Sequence, residues 1–387
     1  MKVPITRKRT ATLPSRRFVM AWAALMVVGA TALAAEPAAG VEYRHLAEAG
    51  PQSIHVVSFD LARGDLAVAA TVGAGVQGNE TVPDMVASLP QGLGHPVAAI
   101  NGDYFEFQGE PRYFGTLQGL CIEEGELVAA PPATAFWIDA RGRPQLGQVG
   151  ARLTVTWPNG RETPFSVNCS TLDFKSEVRA VPLVLYTPRF GRSTQTATGT
   201  REWVLQRATP DARWLPLSAC GVYTARVSEA RQSGDSSIPR DGLVLSVAQT
   251  AAAQPLVVKV GDIVMLRTAC DPDMTGVRTA MAGGPMLLAD GKLLTNPADS
   301  NRAPRTALGL AGSRIWFVVV DGRQPATAVG MSHHELAGFM RRLGCTDAIN
   351  LDGGGSSTLW YEGRVLNHPS DGHPRPVGNA LVLMKRP

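Results

Sequence analysis

The chain lacks the cysteine spacing of a metal-binding domain. Its five cysteines are widely separated, and no Cys-x-x-Cys pair occurs. This spacing argues against cysteine ligation of zinc or of an iron–sulfur cluster. An exported protein of this composition can form one or two disulfides, for which Cys220 and Cys270 are the favoured pair.

The chain also lacks a large excess of positive or negative charge. Charged residues make up 18% of the chain and the net charge is +4. Part of that excess lies in the first segment of the chain, in Lys2, Arg7, Lys8, Arg9, Arg16 and Arg17. Without that segment the protein is nearly neutral, so we predict no nucleic-acid partner and no membrane association after export.

The N-terminus has the pattern of a targeting segment. A basic region ends at Ser15-Arg16-Arg17, an apolar run covers residues 18–33, and Ala32-Leu33-Ala34 offers a small-residue cleavage site. The apolar run is short and rich in alanine for a membrane span. We therefore predict a signal peptide over residues 1–34 and a periplasmic or secreted protein, exported by the Sec or the twin-arginine route. The alternative is an uncleaved anchor.

Sustained helical periodicity is rare. The clearest helix is predicted over residues 332–343, where Ser332 can cap the first turn and Glu335 can complete a capping box. Elsewhere short β-like runs alternate with turns. We predict an α+β (α/β mixed) fold with a large mixed, mainly antiparallel sheet and a few packed helices. One domain would cover residues 41–387, with a β-rich elaboration at about residues 150–260.

Residues 350–358 form the densest polar and glycine-rich stretch. Three consecutive glycines are rarely kept in a regular element, because they have much conformational entropy to lose. Here they follow Asn350 and Asp352 and precede Ser356 and Ser357. Free backbone N–H groups in such a turn can form a concave nest for anionic oxygens. The alternative is a plain turn between a helix and a strand.

Two further polar clusters follow apolar strands. Residues 96–100 run into Asn101-Gly102-Asp103-Tyr104, and residues 315–320 run into Asp321. Functional residues commonly occupy loops at such strand ends. Arg305, just before Thr306, could present its planar guanidinium to a phosphate or a carboxylate. The alternatives are a hairpin turn at Asn101 and a salt-bridged surface arginine at residue 305.

Five stretches occur in a distinctive order, namely Asn101-Gly102-Asp103-Tyr104-Phe105, Gly283-Gly284-Pro285, Arg305-Thr306-Ala307-Leu308-Gly309, Val320-Asp321-Gly322-Arg323 and residues 350–358. Together they resemble the phosphodiester glycosidase family, which includes the N-acetylglucosamine-1-phosphodiester α-N-acetylglucosaminidases and many exported bacterial proteins. The middle third resembles that family only weakly, and His333-His334 departs from it. The resemblance implies hydrolysis between a sugar anomeric carbon and a phosphodiester, which releases a free, GlcNAc-like sugar and a phosphomonoester.

The chemistry of that reaction assigns roles to the polar clusters. A phosphate leaving group needs charge stabilisation more than a proton, and the oxocarbenium-like sugar needs a carboxylate. Asp352 and Asp103 are therefore the first catalytic candidates, and Asp321 is the third. The predicted substrate-binding residues are Asn101, Gly102, Arg305, Thr306, Asn350, Gly353, Gly354, Gly355, Ser356 and Ser357. The substrate partner would be a glycosyl phosphodiester, such as a cell-envelope or extracellular glycan.

Two other functions fit the same residues. One is a non-catalytic envelope protein that binds anionic glycans. The other is a metal-dependent phosphodiesterase in which Asp103, Asp321 and Asp352 hold a hard cation such as calcium through oxygen ligands. No cofactor is otherwise predicted, and His333 and His334 lack the partners of a metal motif. Product identity separates the two hydrolases, since only the glycosidase releases free sugar.

Overall fold

A computed structural model describes residues 40–48, 50–77, 79–108, 111–130, 132–169, 183–247 and 258–387. These residues belong to one compact unit, built on sheets of seven, eleven and five strands. The predicted signal peptide at residues 1–34 lies outside the described residues. Within the described ranges, no helix has both the length and the apolar character needed to cross a membrane.

The seven-stranded sheet is antiparallel between all its neighbours. In spatial order it contains β1 (Val41–Glu48), β2 (Gln52–Asp60), β19 (Arg314–Val320), β18 (Arg305–Ala311), β20 (Asp347–Asn350), β16 (Met286–Ala289) and β17 (Lys292–Leu293). Helix α2 (His333–Arg342) covers one face, where Leu336, Phe339 and Met340 pack on the sheet. Both faces of β19 are covered by other parts of the protein. Its side chains are therefore apolar on both faces and do not alternate with polar ones.

The five-stranded sheet packs against the other face of the seven-stranded sheet. Its order is β22 (Arg364–Val365), β21 (Leu359–Tyr361), β4 (His95–Asn101), β23 (Ala380–Lys385) and β3 (Leu66–Thr71). Ile100 and Leu381 join Phe317 and Val319 of the neighbouring sheet in one apolar cluster. The short helix α1 (Val82–Ala87) also packs on these strands.

The eleven-stranded sheet curls on itself. Its order is β14 (Ile263–Asp271), β12 (Gly221–Arg231), β11 (Glu202–Arg207), β13 (Leu243–Val247), β10 (Leu183–Tyr186), β9 (Glu162–Val167), β8 (Pro144–Thr156), β7 (Ala133–Ile138), β15 (Thr279–Gly283), β5 (Cys121–Glu123) and β6 (Glu126–Ala129). Because β14 also pairs with β8, the strands from β14 to β8 close into a ring. Trp203, Leu205, Tyr223 and Leu266 belong to the apolar cluster of this ring.

The predicted α+β fold class is wrong, because the protein is mostly β-sheet. The described residues contain only two α-helices, of 6 and 10 residues. The sheets bury their faces largely against one another, so few helices are needed to cover them. Pairing is antiparallel except between β9 and β10. The one strong helix prediction is confirmed, since α2 begins after Ser332 and carries both hydrogen bonds of the capping box with Glu335.

The prediction of a disulfide between Cys220 and Cys270 is also wrong. Cys220 and Cys270 both carry free thiols. The Cys220 thiol instead donates a hydrogen bond to Asp273 Oδ1 over 3.3 Å.

Candidate active site

Strands from all three sheets end at one place. β4 ends at Asn101, β15 at Gly283 and β20 at Asn350, while β18 begins at Arg305. Gly283 has no room for a side chain, since a Cβ there would lie 2.7 Å from the Asn350 carbonyl oxygen. The sheets therefore meet with their backbones in close contact, and the polar clusters of the sequence come together.

Asn101 ties these strands to the glycine-rich loop. Its side chain is fully buried, and its Nδ2 donates to the Asp352 carbonyl over 2.7 Å. Its Oδ1 accepts from the Thr306 hydroxyl at 2.7 Å and from the Thr358 amide at 3.0 Å. The amide group is thus engaged within the protein, which makes Asn101 and Thr306 part of the scaffold that positions Asp352.

Asn350 has a different arrangement. Its Nδ2 donates to the Tyr104 hydroxyl and to the Gly284 carbonyl, both over 2.9 Å. The buried Oδ1 of Asn350 has no hydrogen-bond partner in the described part of the chain. Since buried polar atoms are normally paired, this oxygen is available to a hydroxyl group of a ligand.

The glycine-rich loop is a turn of 3-10 helix at Gly354–Ser356. Gly354 has a φ of 63°, a left-handed conformation that favours glycine. Four amides of this loop already donate hydrogen bonds, namely Gly353 to Asp352 Oδ1, Gly354 to the Pro304 carbonyl, Ser356 to the Gly353 carbonyl and Ser357 to the Gly354 carbonyl. The predicted anion-binding nest is therefore largely occupied by the protein itself.

The glycines instead make room for two arginines. A Cβ on Gly354 would lie 3.0 Å from Arg323 Nη2, and a Cβ on Gly355 would overlap the Arg375 guanidinium. Arg375 is paired with Asp371, with 2.7 Å between Nη2 and Oδ2. Neither arginine was predicted as a site residue, although Arg323 belongs to the motif Val320-Asp321-Gly322-Arg323. Only the folded loop brings them beside Asp352.

A third arginine, Arg305, lies in the wall of the site and is only 7% exposed. Its Nε and Nη2 donate to the carbonyl oxygens of Met331 and Asn301 over 2.9 and 2.8 Å. Its Nη1 lies 3.0 Å from His333 Nε2. A guanidinium has five N–H donors, so two remain for a ligand. Burial lowers the pKa of Arg305, and the charge of Arg323 adds to that effect.

His333 accepts the hydrogen bond from Arg305, because a guanidinium can only donate. The Nδ1 atom of His333 lies 3.3 Å from Asp299 Oδ2, so it carries the ring proton. Burial lowers the pKa of His333, followed by the charge of Arg305. A neutral imidazole thus orients Arg305, and His333 lines the wall of the site.

The Tyr104 hydroxyl lies near three charged groups, those of Asp352, Asp103 and Arg305. Burial, together with the charges of Asp352 and Asp103 and against the opposing charge of Arg305, raises the pKa of Tyr104 to about 12. Burial also raises the pKa of the Asp352 carboxyl, against the opposing effects of Ser356, the Gly353 amide and Arg375. Asp352 is half-buried, whereas Asp103 is only 4% exposed. The two carboxyl groups predicted first therefore belong to one polar cluster.

Gly102 and Asp103 are held against the last strand. The Gly102 carbonyl accepts from the Asp352 amide over 2.9 Å, and the Gly102 amide donates to the Asn379 carbonyl. The Asp103 amide donates to Asn379 Oδ1 over 2.8 Å. Asn379 was not predicted, and the close approach of the final strand is what places it here.

Asp321 lies in a separate cluster. Its Oδ2 accepts from the Ser53 hydroxyl at 2.8 Å and lies 3.1 Å from His55 Nε2. Burial by itself raises the pKa of Asp321, but the hydrogen bonds from His55, Ser53 and the His368 amide together hold it below its ordinary value. Among the described residues, Asp103, Asp321 and Asp352 do not converge as ligands of one ion, contrary to the predicted alternative.

The geometry defines an all-β protein whose three sheets gather two carboxyl groups, a tyrosine and three arginines. Residues 220–384, which contain Arg305, Arg323, Asp352 and Arg375, match the family model described as phosphodiester glycosidase. The family resemblance predicted from the sequence motifs is thereby confirmed.

Individual relatives are distant. An uncharacterized SPbeta prophage-derived protein of Bacillus subtilis is 34% identical over 114 residues, which cover 28% of this chain and 18% of that protein. A hypothetical protein from Synechocystis has a TM-score of 0.70 at 19% identity, covering 89% of this chain and 62% of its own. A putative exported protein from Burkholderia pseudomallei has a TM-score of 0.67 at 24% identity, covering 86% and 74%. These two structures establish the fold alone.

Proposed function

We propose that this protein is a hydrolase that cleaves the bond between the anomeric carbon of a sugar and a phosphodiester oxygen, releasing free sugar and a phosphomonoester. The observation that carries the proposal is the position of Asp352. Its carboxyl group is half-buried with a raised pKa, in a loop flanked by Arg323 and Arg375 and close to Arg305. The family match over residues 220–384 supports the same reaction.

The arginines account for binding and departure of the phosphate. A phosphomonoester is a weak base, so its departure needs charge stabilisation rather than a proton. Arg305 is fixed by three hydrogen bonds and retains two N–H donors, which can engage two phosphate oxygens side by side. Arg323 adds a second positive charge on the solvent-exposed side of the site. Donors positioned before the reaction stabilise developing charge without reorganisation.

Asp352 would act at the anomeric carbon. In a retaining course it attacks the carbon, and in an inverting course it takes a proton from the attacking water. Both courses require the ionised carboxylate. Asp103 supplies the second negative charge near the oxocarbenium-like sugar. Tyr104 donates to the Gly284 carbonyl over 2.9 Å and stays protonated at neutral pH, because its pKa is about 12.

The sugar would be oriented by Asn350. The unpaired Oδ1 of this side chain can accept a hydrogen bond from a sugar hydroxyl, while its Nδ2 stays bound to Tyr104 and Gly284. A site that hydrogen-bonds a substrate hydroxyl discriminates strongly against an analogue that lacks it. A GlcNAc-like sugar of a cell-envelope or extracellular glycan, met in the periplasm or outside the cell, is the substrate class we infer.

The test is product analysis with an α-GlcNAc-1-phosphodiester. We expect wild-type protein and Asp211→Asn, a change at an exposed aspartate outside the site, to release free GlcNAc at equal rates. Asp352→Asn should release it at least about 10²-fold more slowly, as for the loss of a well-placed catalytic group. Release of sugar phosphate would indicate cleavage of the P–O bond and overturn the proposal. Binding without any product would identify a glycan-binding protein.

A further inference from the structure

A cluster of histidines surrounds Asp321, outside the candidate active site. The chain has only seven histidines, yet three of them, His45, His55 and His368, lie here. His55 comes from β2, Asp321 directly follows β19, and His368 lies in the loop after β22. The arrangement thus joins three segments that are far apart in sequence, and the proposed hydrolysis does not use it.

Three ligand atoms of this cluster converge. His55 Nε2 lies 3.1 Å from Asp321 Oδ2, and His368 Nδ1 lies 3.6 Å from the same oxygen. All three atoms are within 4.8 Å of one another. Bonds of about 2.0–2.1 Å in a tetrahedral zinc site place ligand atoms about 3.3 Å apart. The two separations from Asp321 Oδ2 are therefore close to those that one ion requires.

Neighbouring groups hold these ligands in place. The Tyr43 hydroxyl lies 2.9 Å from His55 Nδ1, the ring atom that does not face Asp321. Asp321 Oδ1 accepts from the His368 amide at 2.8 Å and from Asn367 Nδ2 at 3.3 Å. Metal-binding histidines and carboxylates typically have such hydrogen bonds, which fix the tautomer and the direction of each ligand.

We propose that His55, Asp321 and His368 bind one divalent transition-metal ion of the Zn²⁺ type. Two imidazoles and one carboxylate suit such an ion, whereas calcium and magnesium prefer a site made wholly of oxygen ligands. Because His368 is largely exposed, the remaining coordination positions face solvent and can hold water.

The ion would brace one wall of the candidate active site. Asn367, next to His368, donates to the Ser357 carbonyl over 2.9 Å and accepts from the Leu359 amide over 2.7 Å. These contacts hold the end of the glycine-rich loop that contains Asp352. An ion bound at Asp321 would therefore stabilise this loop through Asn367. Its role would be structural, since it would not contact the substrate.

Zinc titration of chelator-treated, tag-free protein tests the proposal. We expect one Zn²⁺ per chain by isothermal titration calorimetry, and a visible absorption band when Co²⁺ replaces it. The His368 side chain is 75% exposed, so His368→Ala should fold normally. It should weaken zinc binding at least 10-fold, the lower end for loss of a supporting residue. His95→Ala, at another exposed histidine, should bind zinc as the wild type does.

Two results would overturn the metal site. The first is the absence of a saturable zinc-binding event in wild-type protein. The second is equal affinity in His368→Ala and wild type. Either result would leave the cluster as a hydrogen-bonded support for the buried Asp321 carboxylate. Because binding is measured directly, the outcome does not depend on whether the protein cleaves a glycosyl phosphodiester.

Discussion

Arg305 and His333 are joined by a hydrogen bond in which Nη1 of the arginine donates to Nε2 of the histidine over 3.0 Å. The bond places a strong donor against a neutral imidazole. Asp299 holds the other ring nitrogen, so the imidazole cannot rotate freely. Together with the bonds to the Met331 and Asn301 carbonyls, His333 therefore sets the direction of the Arg305 guanidinium and of the two donors that it retains.

Replacing His333 tests this dependence. We expect His333→Ala to raise KM for a glycosyl phosphodiester about 10-fold, since a hydrogen bond to a charged group contributes about 1.5–3 kcal/mol. His333→Gln should recover part of the loss, because its amide oxygen can accept from Arg305. His334→Ala is the matched control, since His334 contacts Thr295 instead. Equal KM values in His333→Ala and wild type would exclude a positioning role.

Arg323→Ala tests the second positive charge. The side chain is exposed and lies against Gly354, so its loss should leave the fold intact. We expect KM to rise several-fold and to depend less on salt, because an exposed charge acts on an anionic substrate through screened interactions. Arg341→Ala, at an exposed arginine of α2, should change neither. Identical salt dependence in the wild type and Arg323→Ala would remove Arg323 from the site.

The pH dependence should reveal the raised pKa of Asp352. The proposed hydrolysis needs the ionised Asp352 carboxylate, so kcat/KM should fall as acid protonates it. Because burial raises that pKa above the ordinary 3.8, the fall should begin at a higher pH than for an exposed aspartate. Protonation of His333, whose pKa is lowered from 6.5, would add to the same fall. A profile measured in His333→Gln separates the two groups, and a midpoint at or below 3.8 would contradict the burial of Asp352.

The same pKa shift predicts an effect of Asp352 on stability. A carboxyl group whose pKa is higher in the folded than in the unfolded chain destabilises the fold at neutral pH, where both states are ionised. Asp352→Asn removes that charge and keeps an oxygen that can accept from the Gly353 amide. We expect its Tm at pH 7 to equal or exceed that of the wild type, with the difference shrinking as the pH falls through the raised pKa of Asp352 towards 3.8. A lower Tm at pH 7 would mean that the charge stabilises the fold.

Local sequence signals were sufficient for some features. The capping box of Ser332 and Glu335 marks the start of α2, because it depends on residues three positions apart. The polar clusters at residues 101 and 350 do end apolar strands, since a short apolar run bounded by turn residues predicts a buried strand. The fold class could not be predicted in the same way. Whether a helix or another sheet covers a sheet depends on residues that are far apart in the sequence, so neighbouring residues of a strand carry no signal for it.

The amino-acid sequence by itself determined the strand-rich composition, the position of α2 and the residue types that the proposed hydrolysis uses. Tertiary structure decided which of those residues meet. Asp352 and Asp103 lie near Tyr104, whereas Asp321 lies in the histidine cluster. The amides of the glycine-rich loop donate mainly to the protein itself, and Arg323 and Arg375 lie beside that loop. The physical reason is that these contacts join strands of different sheets, and their distances depend on how the sheets pack rather than on neighbouring residues.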